Sequence, residues 1–318
     1  MNRRDLLIAS GALPFAATRA RAQERTTRLI VPFAPGGGID AMGRLVAQQI
    51  GPLLDETWVV ENRSGGNGVV GSALVARAAP DGRTLLCSAT GHLVLRSVMR
   101  AVPFDPIADF TPVARIAQSP LLLVAHAGVV PRTLPDLVAD VRARPASYAL
   151  GHAALGSPGH LAAEAFKRMA GRDLVIATYR GSGPAVNDLI SGQIQLMFAP
   201  VTTVLGQVRE GRMHGYAVTS PARSSLAPQF PSVAELGMAE LGIGFWYGIW
   251  GPRGMPEALT ARLNAAVQRV VSEPETVARL NAAGGEPIRE DAAAFASYIA
   301  AEHVRMEQTI VASGIQPE

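Results

Sequence analysis

Arg28-Leu-Ile-Val-Pro-Phe-Ala-Pro-Gly-Gly-Gly-Ile-Asp40 decides how this chain is read: a short apolar run breaks into three glycines and continues as a helix. Leu29, Ile30 and Val31 predict a buried strand, while Met42, Leu45, Val46, Ile50 and Leu53 recur at helical spacing. Gly36, Gly37 and Gly38 carry no Cβ, so the chain turns sharply and leaves bare backbone N–H groups at the helix start. Those donors have no partner inside the helix, and the macrodipole adds partial positive charge, a combination that suits an anion. The other reading is that the glycines only shape a tight turn and Asp40 caps its own helix.

Working outward, Thr57 to Glu61 predicts a second strand, Gly66 to Ala78 a second helix and Thr84 to Ser88 a third strand. Strands alternating with helices predict βαβ units, a parallel sheet with helices on both faces, and ligands at the carboxyl ends of the strands. Three prolines between Pro103 and Pro112 interrupt the pattern, and Val113 to Ala125 carries the chain into a second lobe. There it restarts, with strands at Tyr148 to Gly151, Val175 to Tyr179, Gln195 to Ala199 and Tyr216 to Thr219. Helices at Leu134 to Arg142, His160 to Ala170, Pro184 to Ser191 and Val204 to Glu210 lie between them. Two long helices, Pro256 to Glu273 and Ala292 to Ser313, close the chain. The expected fold is α/β with two lobes, each a mainly parallel sheet flanked by helices. Residues 23–124 and 232–318 form a discontinuous first lobe, residues 125–231 form the second, and two crossovers act as a hinge.

The first segment reads as an address. Met1 to Ala22 has a basic start, a modest apolar middle and the small-residue site Ala20-Arg21-Ala22, which predicts cleavage before Gln23 and a periplasmic protein. Asn2-Arg3-Arg4-Asp5-Leu6-Leu7 has the twin-arginine form, with the general secretory route as the alternative. Four of the 29 basic and one of the 26 acidic side chains lie in this segment, which leaves 25 of each and a neutral mature protein. Neutrality and the lack of a Lys/Arg run argue against nucleic acid. No apolar run reaches the length of a membrane span, so no stable insertion is expected. Cys87 is the single cysteine and lies in an apolar run, where it reads as a buried, inert thiol.

Two further glycine loops open helices in the second lobe. His152-Ala-Ala-Leu-Gly-Ser-Pro-Gly-His160 offers Ser157 as a cap or ligand hydroxyl and His160 at the helix start, and Tyr179-Arg-Gly-Ser-Gly-Pro184 repeats the plan with Ser182. Simple capping explains both serines equally well, and His160 either donates to a carboxylate or bonds within the protein. The histidines show no i, i+4 pair, so no metal site is expected. Ser157 lacks the first glycine of a nucleophile elbow. Gly36-x-Gly38-x-x-Ala41 with Glu61 near the ribose position fits a loose dinucleotide fingerprint, so an exported NAD(P)-dependent oxidoreductase is the alternative class.

Taken together, Ile30-Val-Pro-Phe-Ala-Pro-Gly-Gly-Gly-Ile-Asp40, Val60-Glu-Asn-Arg63, Ala79-Pro-Asp-Gly82, Pro103-Phe-Asp-Pro106, Gly156-Ser-Pro-Gly-His160, Tyr179-Arg-Gly-Ser-Gly-Pro184 and Ala217-Val-Thr-Ser220 resemble the tripartite tricarboxylate transporter substrate-binding proteins, the TctC or Bug family. The resemblance runs in order from about Arg28 to Ile315. It implies a two-lobed periplasmic-binding-protein fold, type II-like, that captures a small organic carboxylate without chemistry or cofactor. It further implies a monomer that serves the membrane subunits of such a transporter, or a sensor. Carried onto this chain, the ligand-facing positions are Phe33, Ala34, Pro35, Gly36, Gly37, Gly38 and Asp40 in the first lobe. In the second they are Ala154, Gly156, Ser157, His160, Tyr179, Gly181 and Ser182. Two departures bear on the ligand. Ile39 replaces a commonly hydroxylic residue and makes that wall more apolar, and Ala199-Pro200 stands where the family often has Asp-Asn, so a partner for a ligand ammonium is missing.

Overall fold

The computed structural model describes residues 26–153, 156–179 and 182–317, so the leader and the site positions Ala154 and Gly181 lie outside the described residues. β1 (Thr26–Val31) has Leu29, Ile30 and Val31 wholly buried. After the glycine turn, α1 (Gly38–Leu54) buries Met42, Leu45, Val46 and Ile50, as their spacing predicts, whereas Leu53 in its last turn is exposed. β2 (Thr57–Asn62) returns parallel to β1.

The next helix is shorter than its apolar run predicts. Gly65, Gly66, Asn67 and Gly68 all hold positive φ, which an α-helix does not accommodate, so a 3-10 turn covers Gly66–Gly68 and α2 is confined to Val69–Ala76. β3 (Thr84–Ala89) then pairs parallel to the other side of β1, and a single helical turn, α3 (Leu95–Val98), leads out of the sheet.

β4 (Phe110–Ser119) and β5 (Leu121–His126) are separated by Pro120 alone, yet they belong to different sheets. The second lobe continues with α4 (Leu134–Ala143), β6 (Ala149–His152), α5 (Pro158–Ala170), β7 (Val175–Thr178), α6 (Ser182–Ser191), β8 (Leu196–Pro200), α7 (Val201–Arg209) and β9 (Met213–Val218). Residues 219–244 lead back to β10 (Phe245–Pro252), followed by α8 (Glu257–Val270), α9 (Pro274–Ala282), β11 (Glu286–Pro287) and α10 (Ala292–Ser313).

The first sheet has the order β11-β4-β10-β3-β1-β2 and the second β7-β6-β8-β5-β9. Parallel pairing is confined to β2-β1-β3 and β7-β6-β8. The other pairs are antiparallel because β4, β5, β9 and β10 are the strands that leave and enter the lobes, and each direct passage reverses the chain against its neighbour. β10 was not foreseen as a strand, since Phe-Trp-Tyr-Gly-Ile-Trp-Gly-Pro shows no alternation; it is central and buried on both faces.

One bond staples the two passages to each other, and another ties the returning strand to the turn after β3. Leu121 N donates to Thr219 Oγ1 at 3.0 Å, and Trp246 N donates to Thr90 Oγ1 at 2.9 Å. One apolar cluster runs from Ile30, Leu86 and Trp250 through Leu121 and Leu123 to Phe166 and Phe198, so the two lobes share a core. The carboxyl ends of β1, β3 and β6 open on the seam between the lobes, and the turns after them build the site.

Candidate functional site between the lobes

In the first lobe Gly36 has φ +88°, a conformation that glycine adopts without a Cβ penalty. Its N–H donates to Asp40 Oδ2 at 2.9 Å, and the same carboxylate accepts from Arg44 Nε at 3.0 Å and Asn62 Nδ2 at 2.9 Å. Asp40 is 4% exposed. Burial alone would raise its pKa, but the donors from Arg44, Gly36 and Asn62 outweigh it and hold the carboxyl below its ordinary value. Asn62 Nδ2 also donates to Phe33 O at 3.0 Å, so Asp40 and Asn62 together fix the whole turn. Asp40 is a strut of the glycine turn.

The second lobe builds the same turn from other residues. Gly156 has φ +69° and donates to His160 Nδ1 at 3.0 Å, while His160 N donates to Ser157 Oγ at 3.2 Å. This is a reciprocal cap in which an imidazole stands where a capping box has Glu. His160 stacks on His152 with ring centroids 4.2 Å apart, and burial, with the neighbouring imidazole second, pushes its pKa down to about 4. It is therefore neutral at pH 7, with the Nδ1 lone pair used by Gly156 and the proton on Nε2.

A cavity of about 220 Å³ lies where these turns approach one another. Of the sequence-predicted positions, Phe33, Gly156 and Ser157 line it, together with Ile39, whose apolar side chain was expected on that wall. Ala34, Pro35, Gly36, Gly37 and Gly38 form an exposed rim beside Phe33, and Asp40 sits behind them. His160 faces a neighbouring chamber that also reaches Glu164 and the chain end at Gly314 to Gln316. Tyr179 is off the lining and donates its hydroxyl to Asp188 Oδ2 at 2.7 Å, and Ser182 is the first residue of α6. Two of the three glycine turns thus share one cavity through described residues.

The wall also contains residues that sequence reasoning missed. Asn67 projects from the left-handed loop, Phe245 enters from the returning crossover, and Ser72, Ser88 and His92 form the polar part of the first-lobe wall. Among the described residues, none of the lining side chains is Asp, Glu, Lys or Arg. Burial pushes the His92 imidazole down to about 3, so it too is uncharged at pH 7. Glu61, the residue a dinucleotide ribose would require, is held bidentately by Arg28 at 2.6 and 2.9 Å and by Arg63 at 2.9 Å. The Arg28 hydrogen bonds drive its pKa down to about 2, and its acceptor capacity is spent within the protein. Among the described residues, no group of three or more His, Cys, Asp or Glu is placed to hold a metal ion, and no helix is long and apolar enough to cross a membrane.

A family model described as the tripartite tricarboxylate transporter family receptor, TctC, matches residues 42–315. The chain belongs to this family. It is 32% identical over 285 residues to Protein BugT of Bordetella pertussis, covering 89% of this chain and 87% of that one. Among solved structures it is similar to the periplasmic binding protein BugD, with a TM-score of 0.72 and 29% identity over 93% of this chain and 99% of the other. It is also similar to an R. palustris protein solved with adipate, with a TM-score of 0.75 and 31% identity over 92% of this chain and 99% of the other. This TctC receptor thus has the two-lobed α/β architecture of periplasmic solute-binding proteins.

Proposed function

We propose that this TctC receptor is exported to the periplasm, captures a small organic carboxylate between its lobes without chemical change, and presents it as a monomer to the membrane subunits of a tripartite tricarboxylate transporter or to a sensor. The observation that carries the reading is the shared cavity. Ile39 and Phe33 from the turn that starts α1 face Gly156, Ser157 and Pro158 from the turn that starts α5 across it. Both helix starts favour negative charge, each by about 0.3–1 kcal/mol at exposed sites. A ligand that touches both lobes links binding to their closure. Adipate in the R. palustris relative is a carboxylate of the expected size class.

The ligand lacks an ammonium group. The cavity offers no carboxylate among its described lining residues to pair with one, and Ala199 and Pro200 occupy the positions where the resemblance implies Asp-Asn. A thermal-shift screen of the full chain against amino and non-amino carboxylates tests the reading. A ligand at one hundred times its Kd adds about 2.7 kcal/mol to native stability. Stabilisation by non-amino carboxylates supports the proposal, and a protein stabilised only by aspartate or glutamate, or by none of the acids, contradicts it.

A further inference from the structure

On the first-lobe side of the interlobe cavity stand Ser72, Ser88 and His92, each at most 3% exposed, with no charged side chain beside them among the described lining residues. Ser72 Oγ and His92 Nδ1 lie 3.5 Å apart and satisfy one another weakly. Ser88 is the penultimate residue of β3 and makes no hydrogen bond through its hydroxyl to any described residue, although it borders the open cavity. The Ser88 hydroxyl is open to the cavity rather than sealed in the core, so a polar group of a guest is placed to pair with it.

Apart from Asn67, the remaining first-lobe side chains on the wall are apolar, among them Ile39, Val94, Leu95 and Val98 with Phe245. We infer that this receptor takes a monocarboxylate whose far end is uncharged and carries a hydroxyl or carbonyl oxygen that pairs with Ser88. The inference rests on the carboxylate-receptor reading and narrows it. The single carboxylate belongs at the second-lobe end, where Gly156 and Ser157 bring the start of the 13-residue helix α5 to the cavity.

A second carboxylate at the Ser88 end would be buried against hydroxyls, a neutral imidazole and aliphatic carbon. No cation among the described lining residues compensates its loss of water. His92 does not supply one, because Phe104, Phe110 and Trp250 pack around its ring at 4.6 to 6.1 Å and keep it uncharged. A hydroxyl or carbonyl at this end completes Ser88 without that penalty.

The test is calorimetric titration of two trios on common skeletons into the full chain and into Ser88→Ala. One trio is hexanoate, 6-hydroxyhexanoate and adipate, and the other is benzoate, 4-hydroxybenzoate and terephthalate. In at least one trio the hydroxy acid is expected to bind at least about tenfold tighter than the dicarboxylate, and Ser88→Ala is expected to erase its advantage over the plain acid. A dicarboxylate that binds as tightly as the monocarboxylates overturns this inference and leaves the carboxylate receptor standing. A plain acid that outbinds its hydroxy partner, or an advantage that survives in Ser88→Ala, removes Ser88 from recognition. Silence from all six acids, together with a wider carboxylate screen that stabilises nothing, removes the receptor reading itself.

Discussion

The amide of Gly156 donates to Nδ1 of His160 at 3.0 Å, which makes the imidazole an acceptor on one side and keeps its proton on the other. Gly36 makes the corresponding bond to Asp40 at 2.9 Å in the first lobe. In both turns a side chain in the first turn of the helix reaches back four residues to the amide of a glycine in the left-handed region. The first lobe uses an anion for this and the second a neutral base. Each lobe therefore presents a fixed loop to the cavity, and each loop depends on one titratable strut.

For His160 the dependence has a direction. Its pKa is about 4 in the folded chain and about 6.5 when unfolded, so between those values the unfolded chain binds the proton first. Native stability is complete above about pH 6.5 and falls as the pH drops towards 4, where the Gly156 acceptor is also lost. Melting temperatures measured from pH 7 to pH 4 are expected to decline less in His160→Gln, whose amide oxygen still accepts from Gly156, than in the natural chain. Parallel declines would mean that His160 does not drive the loss.

Asp40 gives the matching test in the first lobe. Asp40→Ala removes the acceptor of the Gly36 amide and one of the two acceptors of the Asn62 amide, and is expected to cost about 1–3 kcal/mol in urea denaturation, because Gly36 is open to water and Asn62 keeps Phe33 O. The exposed Arg44 contributes little of this, because its partner bond is open to solvent. Asp40→Asn keeps an acceptor for Gly36 and is expected to lose about half as much. Equal losses in the two variants would mean that charge, rather than the amide bond, holds the turn.

Much of this architecture is local and so was legible in the sequence. β1, the glycine turn and α1 follow from Leu29 to Val31, Gly36 to Gly38 and the spacing of Met42 to Ile50, and residues 292–313 form the closing helix as read. β10 was not legible, because a strand buried on both faces has no alternation to betray it. The cavity was legible in part. Phe33, Gly156 and Ser157 lie in glycine loops that announce themselves, but Ser72, Ser88, His92 and Phe245 are far apart in the chain and meet only through the sheet order. Ser88 left a trace as a polar residue ending the apolar run Leu85-Leu86-Cys87, whereas the glycines of Gly65-Gly66-Asn67-Gly68 are the signal for a left-handed loop that the helix expected from Gly66 to Ala78 passed over. Whether Asp40 faced a ligand or its own helix was undecidable, since capping and anion binding draw on the same residue types.

Asn67 combines strain with a place on the cavity wall. Its φ of 52° lies in the left-handed region, where an L-residue other than Asn or Asp costs roughly 1–2 kcal/mol. Asn67→Ala is expected to lower stability by about that amount, while Asn67→Gly is expected to hold stability and still lose ligand affinity. Denaturation and calorimetry on the same two variants separate the effects. If Asn67→Gly binds as well as the natural chain, the side chain serves only the loop.

Gly38 reaches the cavity through two aromatic rings. A Cβ at this position would lie 2.8 Å from the Tyr247 hydroxyl, and Tyr247 in turn packs edge-on against Phe245 with ring centroids 5.0 Å apart. Tyr247 is 7% exposed, so its ring has little room to retreat, and a push on it is passed to Phe245 on the cavity wall. Gly38→Ala is therefore expected to cost about 1–3 kcal/mol and to weaken ligand binding. The Tyr247 hydroxyl makes no hydrogen bond to a described residue, so Tyr247→Phe alone is expected to be nearly neutral. In the double variant the next atom, Tyr247 Cζ, is 3.5 Å from the added Cβ, an ordinary contact, and most of the loss is expected to return. A double-mutant cycle reads this as a coupling of about 1 kcal/mol or more between the two sites. Additive losses would show that the glycine is required by the helix start itself and not by the tyrosine above it.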